Sequence, residues 1–425
     1  MSVPTLIGYA RHRGAPVVKS VVILNDTAHV DGGASKVAID SAVGLARRGI
    51  DVTFVAAAGP VAPQLEGAVH VQCTGQAKIT DSRSRLAAAA QGLWNSTAGE
   101  TVRKTLADLV PGETVVHVHS WTKALSASAL RAIANTGLST VVTLHEFFSA
   151  CPAGSFYDHP KEQICSRRAM SPACIAANCD SRSYPTKLYR VARQFALNGF
   201  ARFPETVPNY ITMSDLSRSV LAPYLPKGAR LYRTRNPIDA VMGSPVAVAA
   251  NDSVAYVGRL SPEKGVVMLA ETATRIGAKL TFVGDGEERN RIEAIAPGAR
   301  ITGWLNADGV RAELRRARAL ILPSLWYEVM PLVVMEAAAL GVPSIVPDTC
   351  GAVEEVEHER TGLIFRGASA EALAESIARL GDDRLVASLG SAAHDRYWSR
   401  PASLDSHLDD LLDIYERILA QRPRS

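Results

Sequence analysis

What this chain lacks bounds what it can be. It contains no G-x-G-x-x-G run, which removes the dinucleotide-binding fingerprint and disfavours a dehydrogenase. It contains no Asp-x-Asp pair, so a reaction that releases a phosphate would have to neutralise charge with protein cations and helix ends. The N-terminus has no apolar core of the kind a secretory signal needs, because Arg11, His12 and Arg13 are followed by Gly14 and Pro16; a cytoplasmic protein is expected. The nearest approach to a membrane span is 319–347, where Pro323, Pro331, Pro343 and two glutamates interrupt the apolar run. Those interruptions favour strand, helix and strand in a core. Charged residues make up 21% and apolar ones 47%, ordinary for a globular protein and unlike a disordered one. No internal repeat is evident, and no nucleic-acid partner is expected.

A length of 425 residues exceeds what one hydrophobic core organises, so two domains are expected. Short β-branched runs alternate with alanine-rich helical stretches, the pattern of repeated βαβ units and parallel sheets. Strands are predicted near 18–25, 51–57, 69–73, 114–118, 140–144, 209–213 and 230–234. A second set is predicted near 253–257, 279–283, 299–302, 319–322 and 343–346. Between the sets, Asn236-Pro237-Ile238-Asp239 and the small-residue run 241–251 read as a linker.

Two segments carry the most chemistry. In Tyr256-Val-Gly-Arg-Leu-Ser-Pro-Glu-Lys-Gly265 a buried strand ends at a turn at Gly258, and Ser261-Pro262 reads as an N-cap with proline at the first helical position. Lys264 would then face the positive end of a helix dipole, at a cost on the order of 0.3 to 1 kcal/mol unless an anion lies between them. Arg259 and Lys264 therefore look like an anion clamp, although a solvated turn gives the same pattern. In Trp326-Tyr-Glu-Val-Met-Pro-Leu-Val-Val-Met-Glu336 a helix starts at Pro331 and runs from Leu332 to about 340, with free amides around Pro331. Glu328 and Glu336 are the only charged residues between Ala319 and Pro347. A carboxylate in so apolar a stretch is expensive to bury without partners. Sugar and ribose hydroxyls would supply them.

Together with Val283-Gly-Asp-Gly-Glu-Glu288 and the run Gly351 to Gly362, these segments resemble the second domain of the retaining family 4 glycosyltransferases of GT-B architecture. Glu328 and Glu336 match the ends of that family's E-x7-E element. The resemblance is strong over about 250–365 and looser before it. It implies an α/β fold of GT-B type, two Rossmann-like doubly wound parallel-sheet domains facing a central crevice. The expected boundaries are 1–238 for the acceptor-side domain, with a cysteine-rich insertion at about 146–183, and 239–400 for the nucleotide-sugar domain. Residues 401–425 would form a helix, about 402–421, packed back on the first domain.

Ligands of doubly wound sheets lie beyond the carboxyl ends of the strands. There Asp31-Gly32-Gly33-Ala34 leads into a helix, and its glycines would let backbone approach a phosphate. The position matches the family's glycine loop. His145, at the end of Val141-Val-Thr-Leu-His145-Glu146, matches the family's sugar-contacting histidine. The resemblance implies catalytic roles for His145, Arg259, Lys264 and Glu328. It implies a donor site at Gly32, Gly33, Gly258, Arg259, Lys264, Gly303, Trp304, Glu328, Met330, Pro331, Leu332 and Glu336, with Glu328 on sugar hydroxyls, Glu336 on the ribose, and Gly303-Trp304 near the base.

Four of six cysteines, Cys151, Cys165, Cys174 and Cys179, fall within 29 residues. Clustered thiols in a cytosolic chain suggest metal ligation, so a structural zinc is the leading expectation, ahead of unligated or redox thiols and an iron–sulfur cluster. Cys73 and Cys350 read as ordinary buried thiols. Residues 1–240 carry 26 basic and 16 acidic groups, against 20 and 26 in the remainder. A basic first half suits an anionic acceptor, such as a lipid diphosphate, or peripheral contact with an anionic membrane.

The function expected is transfer of a sugar from a nucleotide diphosphate sugar to a hydroxyl of a glycan or lipid-linked acceptor, with retention and no catalytic metal, in cell-surface polysaccharide or glycolipid synthesis. A nucleotide-sugar epimerase or hydrolase on the same fold, or a non-catalytic nucleotide-sugar-binding protein, are the alternatives. No residue stands out as a covalent nucleophile.

Overall fold

The computed structural model describes residues 18–421 apart from position 83. The expectation about the first residues, Arg11 to Pro16, lies outside them. In chain order the strands are β1 Ser20–Thr27, β2 Asp51–Ala58, β3 His70–Cys73, β4 Thr114–Val118, β5 Ser139–Thr143, β6 Tyr157–Asp158, β7 Gln163–Ile164, β8 Asn209–Thr212, β9 Arg230–Arg233, β10 Ser253–Val257, β11 Lys279–Val283, β12 Arg300–Ile301, β13 Ala317–Ile321, β14 Ser344–Pro347 and β15 Gly362–Phe365.

Seven strands form one sheet in the order β3-β2-β1-β4-β5-β8-β9, and six form another in the order β12-β11-β10-β13-β14-β15. Every pairing within both is parallel. Parallel strands covered on both faces are apolar runs rather than alternations, and Val21 to Leu24 of β1 are all fully buried. Helices fall between most successive strands in chain order, as the crossovers of parallel strands require. Each expected strand exists, most within one or two residues. β15 was not expected. Its sequence Gly-Leu-Ile-Phe is short and follows a charged loop, and only pairing with β14 in register, Ser344 with Gly362 through Pro347 with Phe365, makes it a strand.

The helix Leu404–Ala420 lies on the first sheet's side of the molecule, against the helix Gly33–Arg47. A β-carbon on Gly44 would sit 2.5 Å from Leu408 Cδ1, so glycine is what lets the two axes approach. Tyr415 donates or accepts a 2.6 Å hydrogen bond with Nδ1 of His117 on β4, and His407 Nε2 lies 3.1 Å from Ser41 Oγ. Leu411 is fully buried in that contact.

The cysteine-rich insertion folds as the small β6–β7 hairpin followed by the turn of helix Pro172–Ala176. Among the described residues no three His, Cys, Asp or Glu side chains converge into a set that could hold a metal ion. The position among the thiols is taken by a cation. Lys187, fully buried, places Nζ 3.3 Å from Cys179 Sγ and 3.6 Å from Cys174 Sγ, while Cys165 lies 3.7 Å from an Arg167 nitrogen. An ammonium repels a metal ion and occupies the same acceptors, so the expected zinc or iron–sulfur site on Cys151, Cys165, Cys174 and Cys179 is not supported. Cys350 is buried as expected, and Cys73 is only half-buried.

Leu411→Ala is expected to destabilise the chain by about 2 to 5 kcal/mol, the usual cost of a leucine-sized hole. Urea unfolding of the full chain followed by circular dichroism checks it; an unchanged midpoint would mean that the last helix does not belong to the first sheet's core.

Candidate functional site

The loops that follow β1, β4, β5, β10 and β13 line one crevice, a cavity of about 800 Å³. That is where a doubly wound sheet places its ligand, since strand ends leave helix N-termini uncovered.

On the first sheet's side, Gly32 has φ 129°, a conformation open to glycine, and leads into the helix Gly33–Arg47 with no side chain capping it. The first-turn amides of Gly33, Ala34 and Ser35 border a smaller recess of about 110 Å³ that also holds Asp26, His119, His145 and Glu146. Asp26 was missed by sequence reasoning. Its carboxylate accepts the amides of Lys123, Ala124 and Leu125, each at 2.8 Å, and so pins the loop after β4 to the end of β1. The visible sign was an aspartate directly after a buried apolar run. Lys78 and Lys123 were missed as well. Both hold Asp31, at 3.0 Å, and set a cationic rim on the crevice. Burial pushes the Asp31 carboxyl up, and hydrogen bonds and charge from the two lysines more than reverse it.

His145 lines the crevice, and its Nε2 lies 3.0 Å from Nδ1 of His119. Burial, with a smaller contribution from His407, pushes the His145 imidazole down to about 3, and His119 is pushed well down for the same first reason. Both rings are neutral at pH 7. His145 therefore faces a ligand as a hydrogen-bonding group, without charge. Glu146 also lines the crevice, and the surrounding protein pushes its carboxyl up.

On the second sheet's side the expected N-cap at Ser261 is not made. Ser261 Oγ instead donates to Glu263 Oε1 at 2.7 Å, Pro262–Lys264 form a single 3₁₀ turn, and the α-helix starts at Val266. Gly265 separates the two at φ 68°, where a β-carbon would lie 2.0 Å from the Pro323 carbonyl oxygen. This close approach brings the loop after β10 onto the loop after β13. Lys264 Nζ thereby forms an ion pair with Glu328 Oε1, and sits 5.1 Å from the centre of the Trp326 ring. Ser324 Oγ at 3.0 Å and Trp326 Nε1 at 2.9 Å donate to the same oxygen. Burial pushes Glu328 up, but the charge of Lys264 and these three hydrogen bonds hold it below the ordinary glutamate value. All three donors converge on Oε1. Oε2 accepts none of them.

Arg259 reaches the crevice with no ion-pair partner among the described residues, whereas Lys264 is already paired. The two are thus an unequal clamp. Met330 and Leu332 line the cavity, and Pro331 is the N-cap of the helix Leu332–Ala339, one position before the place expected for it. A β-carbon on Gly33 would come within 3.8 Å of Leu332 Cδ1, so the two uncapped helix starts face each other across the crevice.

The remaining expected donor residues lie outside the cavity lining. Glu336 is one turn along the Leu332–Ala339 helix, where burial pushes its carboxyl up against the opposing charges of Arg311 and Lys36. Gly303 and the exposed Trp304 follow β12 at the sheet's edge. Gly258 and Gly284 bring two loops together, since a β-carbon on Gly284 would sit 1.9 Å from the Gly258 carbonyl oxygen. From the insertion, Ala153 to Ser155, His159 and Arg182 line the wall beside His145.

Two family models divide the chain. Residues 31–239 match Glycosyltransferase Family 4 and residues 251–383 match Glycosyl transferases group 1. A GDP-mannose-dependent alpha-mannosyltransferase of Mycolicibacterium smegmatis is 34% identical over 170 residues, which are 40% of this chain and 44% of that protein. A putative teichuronic acid biosynthesis glycosyltransferase of Bacillus subtilis, TuaC, is 35% identical over 168 residues, 39% of this chain and 37% of its own. The chain thus matches less than half the length of either relative. Among solved structures, sucrose-phosphate synthase from Thermosynechococcus elongatus superposes with a TM-score of 0.70 at 19% identity, over 95% of this chain and 100% of that one. The Anabaena protein HepE, in complex with UDP and glucose, gives 0.63 at 18% identity, over 94% and 100%. At such identities the likeness establishes the fold, which is GT-B.

The folded chain excludes a proton that an unfolded one takes up near the ordinary histidine value of 6.5. Stability is therefore full above that value and is lost as pH falls toward about 3. His145→Gln is expected to flatten part of this loss in Tm measured against pH, and the wild-type His145 ring should show no NMR titration between about pH 5 and 8. A ring titrating near 6.5 would overturn its neutral state.

Proposed function

We propose that this chain, a Glycosyltransferase Family 4 domain followed by a Glycosyl transferases group 1 domain, transfers a sugar from a nucleotide diphosphate sugar to an acceptor hydroxyl with retention of the anomeric configuration. The observation that carries the reading is Glu328. Its Oε1 is saturated by Lys264, Ser324 and Trp326 while Oε2 accepts none of these bonds, which suits a carboxylate that accepts hydrogen bonds from the hydroxyls of a bound sugar.

The diphosphate would lie between the uncapped amides at Gly33 and those beyond Pro331, with Arg259 as the free cation and Lys264 as a second, shared with Glu328. Developing charge on the leaving phosphate meets preorganised donors there. Neutral His145 would donate or accept a hydrogen bond to the sugar. In same-face attack the acceptor oxygen forms the new glycosidic bond as the bond to the leaving phosphate breaks, and that phosphate takes the acceptor proton. The insertion, on the wall beside His145, would shape the acceptor's approach. Glu336 would reach the ribose, and Gly303 with Trp304 the base, only if the two halves close further on the donor. The GDP-mannose dependence of the Mycolicibacterium smegmatis relative, and UDP in HepE, support a nucleotide-sugar donor. A cell-surface polysaccharide pathway has support from TuaC.

Thermal-shift binding across UDP-, GDP-, ADP-, dTDP- and CDP-sugars tests the donor. One sugar nucleotide should raise Tm, and Glu328→Ala and Arg259→Ala should each weaken its binding by about tenfold or more, as expected for loss of a charge-assisted contact. Turnover should persist in EDTA, because protein cations and amides serve the diphosphate. No stabilisation by any donor would sink the assignment, and free sugar or free epimer formed without acceptor would favour a hydrolase or epimerase.

A further inference from the structure

The helix Tyr184–Phe195 has two unlike faces. One side lines the crevice with Thr186, Tyr189, Arg190 and Arg193. The other side points outward, and where a soluble protein would present charge it presents Leu188, Ala192 and Phe195, at the i, i+4, i+7 spacing of one helical stripe. The π-helical turn Ala196–Phe200 continues that stripe through Gly199 to Phe200. Phe195 is 57% exposed and Phe200 72%.

The helix Arg85–Leu93 lies alongside. Tyr189 donates to the Ala89 carbonyl oxygen at 3.1 Å and Arg193 Nε to that of Gly92 at 3.1 Å, and Gly92 leaves room for the Tyr189 ring. Its outward residues are also apolar: Leu86, 85% exposed, with Ala87, Ala90 and Trp94. Trp94 meets Phe200 edge to face, ring centroids 6.2 Å apart, and the two stand over an apolar groove of about 610 Å³ edged by Arg131 and Arg202. Two helices thus join their exposed apolar faces into one surface. Contiguous apolar exposure of this kind marks an interaction site.

The charge beside it is mainly cationic. Residues 82–99 and 181–204 contain no aspartate or glutamate. Of their arginines, Arg85 and Arg202 stand at the surface with Arg131 beside the groove, whereas Arg182, Arg190 and Arg193 line the crevice. The second run is bounded by Asp180, 2.9 Å from Arg190, and by Glu205, 3.8 Å from Arg202. Exposed leucine and aromatics flanked by Arg85, Arg131 and Arg202 match the interfacial layer of an anionic bilayer, where rings sit among headgroups and guanidinium groups meet phosphates.

We propose that the outward faces of Arg85–Leu93, Tyr184–Phe195 and Ala196–Phe200 dock into an anionic membrane surface. The inner face of the same Tyr184–Phe195 helix lines the crevice, so docking sets the cavity at headgroup level and fits an acceptor carried on a lipid. That last step rests on the transferase reading; the docking itself does not.

Sedimentation with phosphatidylglycerol vesicles and with phosphatidylcholine vesicles tests it, alongside donor-dependent thermal shift on the same preparations. The full chain should bind the anionic vesicles at low salt, bind the zwitterionic ones weakly, and release as salt rises. Phe195→Ser with Phe200→Ser should lower partitioning about tenfold or more, as loss of two buried rings implies. Arg85→Glu should lower it several-fold on anionic vesicles only, and donor-dependent stabilisation should be unchanged in both variants. Three results would overturn docking: no binding to phosphatidylglycerol by a chain that still responds to donor, variants that bind as the wild type does, or a concentration-dependent dimer of the wild type that Phe195→Ser with Phe200→Ser abolishes. A chain that binds vesicles but no donor would instead remove the transferase reading and leave docking in place.

Discussion

A carboxylate set in the most apolar stretch of the chain must find a partner or lose its charge, and Glu328 finds Lys264. The pair forms only because the loop after β10 is laid onto the loop after β13, and Gly265 is the residue that permits it: any β-carbon there would collide with the Pro323 carbonyl. Arg259, on the same loop after β10, lines the crevice, and the start of the Leu332–Ala339 helix carries no side-chain cap. Removing either ion would strand the other in a site from which water is partly excluded. The geometry of the whole second wall follows from this one desolvated pair.

The first wall is built on a different principle. Among its ionisable groups next to the recess, His145 and His119 are kept uncharged by burial, Asp26 is consumed by three backbone amides, and Asp31 is shared by Lys78 and Lys123, while Glu146 has no ion-pair partner among the described residues. What remains available is the uncapped start of the Gly33–Arg47 helix, hydrogen-bonding groups without charge, the Glu146 carboxyl and the lysine rim. One wall therefore offers a carboxylate oxygen and a free guanidinium, and the other adds dipoles. A charged diphosphate joined to a hydroxyl-rich sugar has matching halves.

The cysteine-rich segment shows how a pattern with a familiar chemistry can be put to another use. Thiols clustered in sequence read as ligands, but the helix that follows delivers Lys187 among them. The sulfurs of Cys174 and Cys179 then serve as acceptors for a buried ammonium that has no ion-pair partner among the described residues. The lysine lies on the same helix whose outer stripe is Leu188, Ala192 and Phe195, so the contact also anchors the apolar face that points away from the protein.

Much of the architecture was legible in the sequence, because a parallel strand buried on both faces must be a short β-branched run whatever it packs against. The intervals holding β1, β4, β10 and β11 could be read directly for that reason, and the two glutamates stood out because nothing else charged shares their stretch. Short elements whose existence depends on a neighbour could not be read. β15 needs β14, and the turn at Pro262 looked like a helix start until Gly265 was seen to be pinned under Pro323. Partnerships were equally hidden: Lys264 with Glu328, Asp26 with the loop after β4, and Lys187 with its thiols each join residues that no local rule connects. Local sequence determines which segments must be buried and which groups are costly to bury, since those are properties of the residues themselves. Only the tertiary structure decides which partner meets each cost, because that depends on which loops the sheets bring within a hydrogen bond of one another.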